Sequence, residues 1–178
     1  MKFQQLETNR LYLRNLNPDV YNFIFSEYDD EELLLFFGFK SLEPLALEKD
    51  KFNKGLTTYR MTFSSYQLIE KSSGNIIGMC GFHSWFPEHR RAEIGYHMTD
   101  ENVKNKGYMS EAIIEVIKYG FEKMDLNRIE ACVGSKNIPS LRLMEKSGFV
   151  KEGYLRSHYC KNGIIEDSLI FGLLKEDY

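Results

Sequence analysis

Apolar residues along the chain recur with two periods, two and about 3.6, and the changes between them mark out the elements. Residues 10–16 alternate as RLYLRNL, with Leu11 and Leu13 on one side and Tyr12 and Arg14 on the other, before Asn17–Pro18 stops the pattern. That predicts a first strand. Asn17 or Asp19 then suits the cap of a helix whose apolar positions are Val20, Phe23, Ile24 and Tyr28. The acidic run 29–32 leads directly into Leu33, Phe36 and Phe37. Carboxylates favour a first helical turn, which predicts a second helix; the competing use is the rim of a site for a cationic amine. A weaker helical pattern runs from Pro44 to about Met61 through Leu45, Leu47, Phe52 and Leu56, interrupted by Gly55.

Residues 66–70 and 76–85 read as two strands about a turn at 71–75, followed by a loop at 86–90. Gly78 and Gly81 in the second of these strands predict a bend or a close backbone approach. Residues 91–98 alternate again and end in the polar run 99–102. From Met109, apolar or small residues return at Ala112, Ile113, Val116, Ile117, Gly120, Phe121 and Met124. This is one face of a helix held for about four turns. Residues 128–133 form another strand, with Ile129, Ala131 and Val133 on one face. Asn137 fits an N-cap, Pro139 a first turn and Gly148 the position beyond a last turn, so a helix is predicted over 138–147. Residues 149–159 and 166–174 are the last strands, joined by 160–163 with its Asn-Gly pair. The order is βααβββαβαββ: a mixed α/β sheet with helices on its faces, expected as one domain over residues 1–178.

The formal charge of −3 gives no global reason to expect nucleic acid as a partner. Cys80, Cys132 and Cys160 lie far apart without a CxxC pair, which predicts buried or edge thiols in a reducing compartment. His83, His89, His97 and His158 lack metal-ligand spacing, so no metal is expected. The polar first ten residues carry no hydrophobic signal region, and no apolar run nears about 18 residues. A cytoplasmic protein that does not enter a membrane is the expectation. The local chemistry lies between the strand at 91–98 and the long helix. Lys104–Asn105–Lys106–Gly107–Tyr108 places two lysines and a glycine at a helix N-terminus, where backbone N–H groups and the helix dipole favour an anion. Gly107 allows a positive φ or a close approach to a phosphate.

Four stretches, in order and at matching spacing, resemble the GNAT superfamily of N-acetyltransferases, and within it the RimJ/RimL-like ribosomal-protein branch. They are LETNRLYLRNL at 6–16, AEIGYHM at 92–98, KNKGYMSEA at 104–112 and NIPSLRLMEKSGF at 137–149, with the Asn-Gly hairpin following. The resemblance implies a mostly antiparallel seven-stranded mixed sheet with helices on both faces and splayed fourth and fifth strands. It implies acetyl-CoA as co-substrate, its pyrophosphate on Lys104, Asn105, Lys106, Gly107, Tyr108, Met109 and Ser110. The pantetheine arm would meet backbone groups near Tyr96, His97 and Met98, and the side chain of Asn137. The family motif is Q/R-x-x-G-x-G/A, from which Lys104 and Met109 depart. Lysine keeps the charge but loses the planar fork, and Met109 keeps its backbone N–H.

By the same resemblance, the position of the usual tyrosine acid is Met144, and Ser140 of Asn137–Ile138–Pro139–Ser140 is the candidate to protonate the CoA sulfur. From the residues alone, Ser140 reads as a first-turn serine completing a local cap with Asn137. Glu93 is the candidate to take the amine proton or hold a cationic substrate; a surface glutamate paired with Arg91 or Arg90 is the alternative. Tyr159, His158, Phe36 and Phe37 are candidates to line the acceptor pocket. The implied reaction is direct transfer to a primary amine, either a protein N-terminus or a small molecule, with no cysteine placed for a covalent acetyl-enzyme. A non-catalytic acyl-CoA-binding module of the same fold is the rival reading. An exposed aromatic edge points to a homodimer, and the segment 20–61 is where acceptor specificity is expected.

Overall fold

The computed structural model describes residues 2–178. The strands are β1 (Gln5–Glu7), β2 (Leu11–Leu16), β3 (Thr62–Glu70), β4 (Ile76–Phe86), β5 (Arg91–Met98), β6 (Arg128–Gly134), β7 (Val150–Lys161) and β8 (Ile164–Leu174). The helices are α1 (Pro18–Glu27), α2 (Asp30–Phe37), α3 (Leu42–Asn53), α4 (Tyr108–Glu122) and α5 (Ile138–Lys146). All eight strands join one sheet in the order β1-β2-β3-β4-β5-β6-β8-β7. Every neighbouring pair is antiparallel except β5 with β6.

The sheet therefore has eight strands where seven were expected. The extra one, β1, pairs Gln5, Leu6 and Glu7 with Arg14, Leu13 and Tyr12, and three mostly polar residues are too few to show an alternation. The third helix starts at Leu42 and stops at Asn53, short of Met61. Gly55 at φ +89 turns the chain there, in a conformation that side chains resist. The last hairpin closes on two residues, Asn162 (φ 52) and Gly163 (φ 77), the left-handed pair that matches the twist of the flanking strands. The acidic run before α2 is a helix start: Asp29 accepts from the Glu32 amide at 2.9 Å and Glu32 accepts from the Asp29 amide at 3.0 Å.

Helices cover both faces. On one face α4 buries Ala112, Ile113, Val116, Ile117, Gly120 and Phe121 against strands β2 to β6, and α5 adds the fully buried Met144. At roughly 1.5–3 kcal/mol for each large side chain removed from water, this face dominates the fold's stability. On the other face α1, α2 and α3 enclose a second, aromatic-rich core around Leu16, Tyr21, Ile24, Leu33, Phe36 and Phe37. Phe36 and Phe37 belong to that core and do not line the cleft described next.

Candidate active site

β5 and β6 share only three register pairs, Arg91 with Arg128, Ala92 with Ile129 and Glu93 with Glu130. Beyond Glu93 the two strands part, although β5 continues to Met98 and β6 to Gly134. A cleft of about 590 Å³ opens in the gap. Because side chains alternate along β5, the cleft receives residues from both faces of the sheet. Tyr96 enters with Asn137 and Ser140 of α5, while Glu93, Gly95 and His97 enter from the opposite face with His83, Cys132 and His158.

On the first wall, Asn137 caps α5 by accepting the Ser140 amide at 3.3 Å. The cap fixes the first turn, which holds Ser140 at the cleft. Burial pushes the Tyr96 phenol up, and the neighbouring Ser140 hydroxyl partly opposes it. The two hydroxyls form no hydrogen bond of good geometry, so the buried Tyr96 Oη is left without a protein partner. Such a group favours a ligand that brings its own hydrogen bond.

On the second wall, Glu93 has neither arginine as its partner. Arg91 pairs with Glu130 at 2.9 Å and Arg90 with Asp125 at 2.8 Å. Glu93 faces His83 instead, with Oε2 at 3.7 Å from Nδ1. Cys132 also lines the cleft, which bears on the expectation that no cysteine is placed for a covalent acetyl-enzyme. It faces outward from the α4–α5 core on a strand whose splayed end opens its flank. Its Sγ lies 3.5 Å from His158 Nδ1, which is also 3.2 Å from Ser168 Oγ. Burial raises the Cys132 thiol; the Ser168 hydroxyl opposes that rise and the charge of Glu93 adds to it. A thiol held protonated in this way is not a ready nucleophile. His158 reaches this position through a bulge: β7 and β8 pair Leu155 with Ser168 and then Tyr159 with Glu166, leaving extra residues between. Tyr159 lines the cleft as well.

The phosphate-loop candidates 104–110 lie outside the cleft lining, at the N-terminus of α4. Gly107 is the N-cap at φ 82, and no side chain caps the helix. The N–H groups of Tyr108, Met109 and Ser110 thus open the helix without intrahelical partners. Asn105 also takes a positive φ, 57, which curls the loop. Met109 packs against the α4 core, away from the loop's outer face. The Lys104 ammonium pairs with Glu101. Tyr108 donates to Glu70, not toward the helix start. His97 and Met98 continue β5 beyond the fork, where His97 pairs with Met79 and Met98 with Gly78. Partial burial, and then Lys51 of α3, lower the His97 imidazole's pKa.

Two contributors escape a reading of the sequence. Arg10 donates through Nη1 to the Lys106 carbonyl at 3.0 Å and its guanidinium stacks over the Tyr108 ring at 4.4 Å. His83 is brought to the cleft by a break in the β4–β5 register between His83 and Phe86. An arginine opening the first strand pattern is the only sequence signal for the former, and no periodicity signals the latter. Among the described residues, no group of three or more His, Cys, Asp or Glu side chains is arranged to hold a metal ion. No helix among them is long and apolar enough to cross a membrane.

The profile of one protein family, the acetyltransferase (GNAT) domain, matches residues 10–150. The chain is 34% identical over 174 residues to an uncharacterized N-acetyltransferase of Bacillus subtilis, YoaA, covering 97% of this chain and 98% of that protein. It is also 34% identical over 105 residues to the putative ribosomal N-acetyltransferase YdaF of the same organism, over 59% of this chain and 57% of that one. Among solved structures, an acetyltransferase (GNAT family) from Bacillus anthracis superimposes with a TM-score of 0.67 at 27% identity, covering 97% of this chain and 99% of the other.

Proposed function

Because the chain belongs to the GNAT acetyltransferase family, we propose that it transfers an acetyl group from acetyl-CoA directly to a primary amine, as a member of the RimJ/RimL-like branch. Enzymes of this family are N-acetyltransferases and use acetyl-CoA as co-substrate. The observation that carries the reading is the parting of β5 from β6 beyond Glu93, in the same molecule as a helix start, at α4, with no side-chain cap. An extended amide arm can pair with a freed strand edge, and a pyrophosphate suits a bare helix N-terminus. Lys106, Gly107, Met109 and Ser110 would hold the phosphates, with Lys104 recruited from Glu101 and Asn105 shaping the turn. The backbone of Tyr96, His97 and Met98 would meet the arm, and Asn137 would add a side-chain contact.

Acetyl-CoA would supply the activated acetyl group as a thioester. The chain's own residues would do the rest. A backbone N–H on the β5 edge would face the charge developing on the acyl oxygen, an interaction worth roughly 3–4 kcal/mol in well-measured cases. Ser140 would hold a proton at the departing sulfur, a modest task because a thiol has a pKa of about 8.5. Glu93 would attract the cationic acceptor to the opposite wall. Holding amine and thioester together across a fork in one sheet accounts for much of the rate. The two cores share one sheet, which supports reading residues 1–178 as one catalytic domain. The likeness to a putative ribosomal N-acetyltransferase supports a protein N-terminus as acceptor. Exposed Tyr154, Tyr159, Ile164 and Ile165 about the β7–β8 hairpin support a homodimer, which ultracentrifugation would test.

The test of function is release of CoA thiol from acetyl-CoA in the presence of peptides with N-terminal Ser or Ala, and of small amines including spermidine. Turnover with the peptides supports the reading; turnover confined to small amines removes the protein acceptor. Tight acetyl-CoA binding with no thiol release across the panel would identify a non-catalytic binding module instead.

A further inference from the structure

We propose that His83, and not Glu93, is the group that takes the proton from the acceptor amine, with Glu93 acting as the residue that orients it. Three independent features build this arrangement. First, β4 breaks register with β5 immediately after His83, and the residue there, Ser84, sits at φ 47. A bulge re-aims the side chains beside it, and a non-glycine residue at positive φ is strained, so the break is held in place by its surroundings. Second, Gly95 makes room for the ring: a Cβ at that position would lie 2.7 Å from both His83 Cδ2 and Nε2. The Cδ2–Nε2 edge of the imidazole therefore rests against Gly95, in the stretch where β5 has just left β6. Third, the other nitrogen is directed back: Nδ1 lies 3.7 Å from Glu93 Oε2 and 3.4 Å from Ser84 Oγ. With Nδ1 on the Glu93 side, Nε2 is the nitrogen left to accept a proton, on a ring that lines the cleft beside Glu93 and Gly95.

The inference rests on the acetyl-transfer reading and adds the proton's route. An alkylammonium gives one proton to Nε2 and becomes a neutral nucleophile. Its nitrogen bonds to the acyl carbon as the carbon–sulfur bond breaks. The amide nitrogen loses a second proton, and the CoA sulfur gains one through Ser140. Net, one proton leaves for solvent from His83, whose side chain is about half exposed (51%). The carboxylate of Glu93 would stabilise the imidazolium during the exchange, as a carboxylate does beside a catalytic histidine.

The experiment compares wild type, His83→Gln, His83→Ala and Gly95→Ala with acetyl-CoA and whichever of the Ser-terminal peptide or spermidine the wild type acetylates. His83→Gln should lower kcat/KM for the amine by about 100-fold or more, the usual worth of a positioned acid–base group, and leave the acetyl-CoA Kd from calorimetry within about twofold. Gly95→Ala, which displaces the ring, should lower kcat/KM in the same direction. Added imidazole should restore part of the rate of His83→Ala, which a structural role would not allow. If His83→Gln keeps kcat/KM within about threefold of wild type, or imidazole restores nothing to His83→Ala, the proposal is overturned while the acetyl-transfer reading stands. A wild type that acetylates no amine in the panel overturns both.

Discussion

Arg10 and Glu111, 101 residues apart, join the residue just before β2 to the first turn of α4 through a 2.7 Å ion pair between Nε and Oε2. The Arg10 amide also donates to Glu111 Oε1 at 2.8 Å, and the Thr8 hydroxyl donates to the same oxygen. Since Arg10 Nη1 holds the Lys106 carbonyl as well, one arginine sets the loop's attitude to the sheet. Burial works to raise the Glu111 carboxyl, but the Thr8 hydroxyl and the Arg10 amide and guanidinium outweigh it and hold the group below the usual carboxylate range. A depressed folded pKa stabilises the protein above the unfolded value, about 4.3 for glutamate, and the contribution fades as pH falls through the folded pKa. Glu111→Gln should therefore weaken acetyl-CoA binding and, with solvent screening, cost about 1 kcal/mol or less at neutral pH. The difference in Tm from wild type should be full at pH 7 and close below about pH 4. A constant difference across that range in thermal melts would show that the carboxylate's charge is not what stabilises.

Gly107 faces no crowding: the nearest atom to an added Cβ is Arg10 Nη2 at 3.5 Å. What forbids a side chain is its φ of 82, a region that costs an L-residue about 1–2 kcal/mol and a β-branched one more. Gly107→Val should turn the loop's N–H groups away from the phosphates and raise the acetyl-CoA Kd by about tenfold or more, at 1.4 kcal/mol per decade. Calorimetry decides it, and wild-type affinity in this variant would sink the assignment of the loop.

Ser140 contributes its backbone to the α5 cap and its hydroxyl to the cleft. Alanine removes only the second. Ser140→Ala should keep its helix and its acetyl-CoA Kd while kcat falls about tenfold, at the low end for acid catalysis because a thiolate leaves readily. Unchanged kcat would take the hydroxyl out of the mechanism.

How far the sequence carries depends on how local the signal is. The β5–loop–α4 unit was legible because alternation, a basic glycine loop and a four-turn apolar face are contiguous. Asn137 and Ser140 were legible because a cap is a matter of three residues. Arg10 was not, since its role depends on a contact across 96 residues to Lys106. His83 was not, because a register break gives no period to read, and Gly95 signals nothing until the ring lying on it is seen. The place of Cys132 in the cleft was hidden for a related reason. Its strand reads as ordinary alternation, and only the fork between β5 and β6 turns its outer flank into a cleft wall.

Cys132 is therefore the residue on which direct transfer is most exposed to test. Burial and the charge of Glu93 keep the thiol protonated, so Cys132→Ala should retain kcat within about threefold, and protein incubated with labelled acetyl-CoA should carry no acetyl group on it. A turnover-competent acetyl-cysteine found by mass spectrometry would replace the direct route with a covalent one.

Gly120 sits inside α4, where alanine ordinarily gains about 1 kcal/mol over glycine. Here the added Cβ would lie 2.7 Å from Phe82 Cζ and 3.1 Å from Leu126 Cδ1. Both neighbours are fully buried, so neither can swing aside into solvent. Overpacking of this kind costs about 1–3 kcal/mol and outweighs the gain in helix propensity. Gly120→Ala should thus be a net destabilisation of about 1 kcal/mol, lowering Tm by about 2–4 °C in a chain of this size. A rise in Tm would mean that Phe82 and the facing strand can move away at little cost, and that α4 packs on the sheet less closely than the Gly120–Phe82 contact implies.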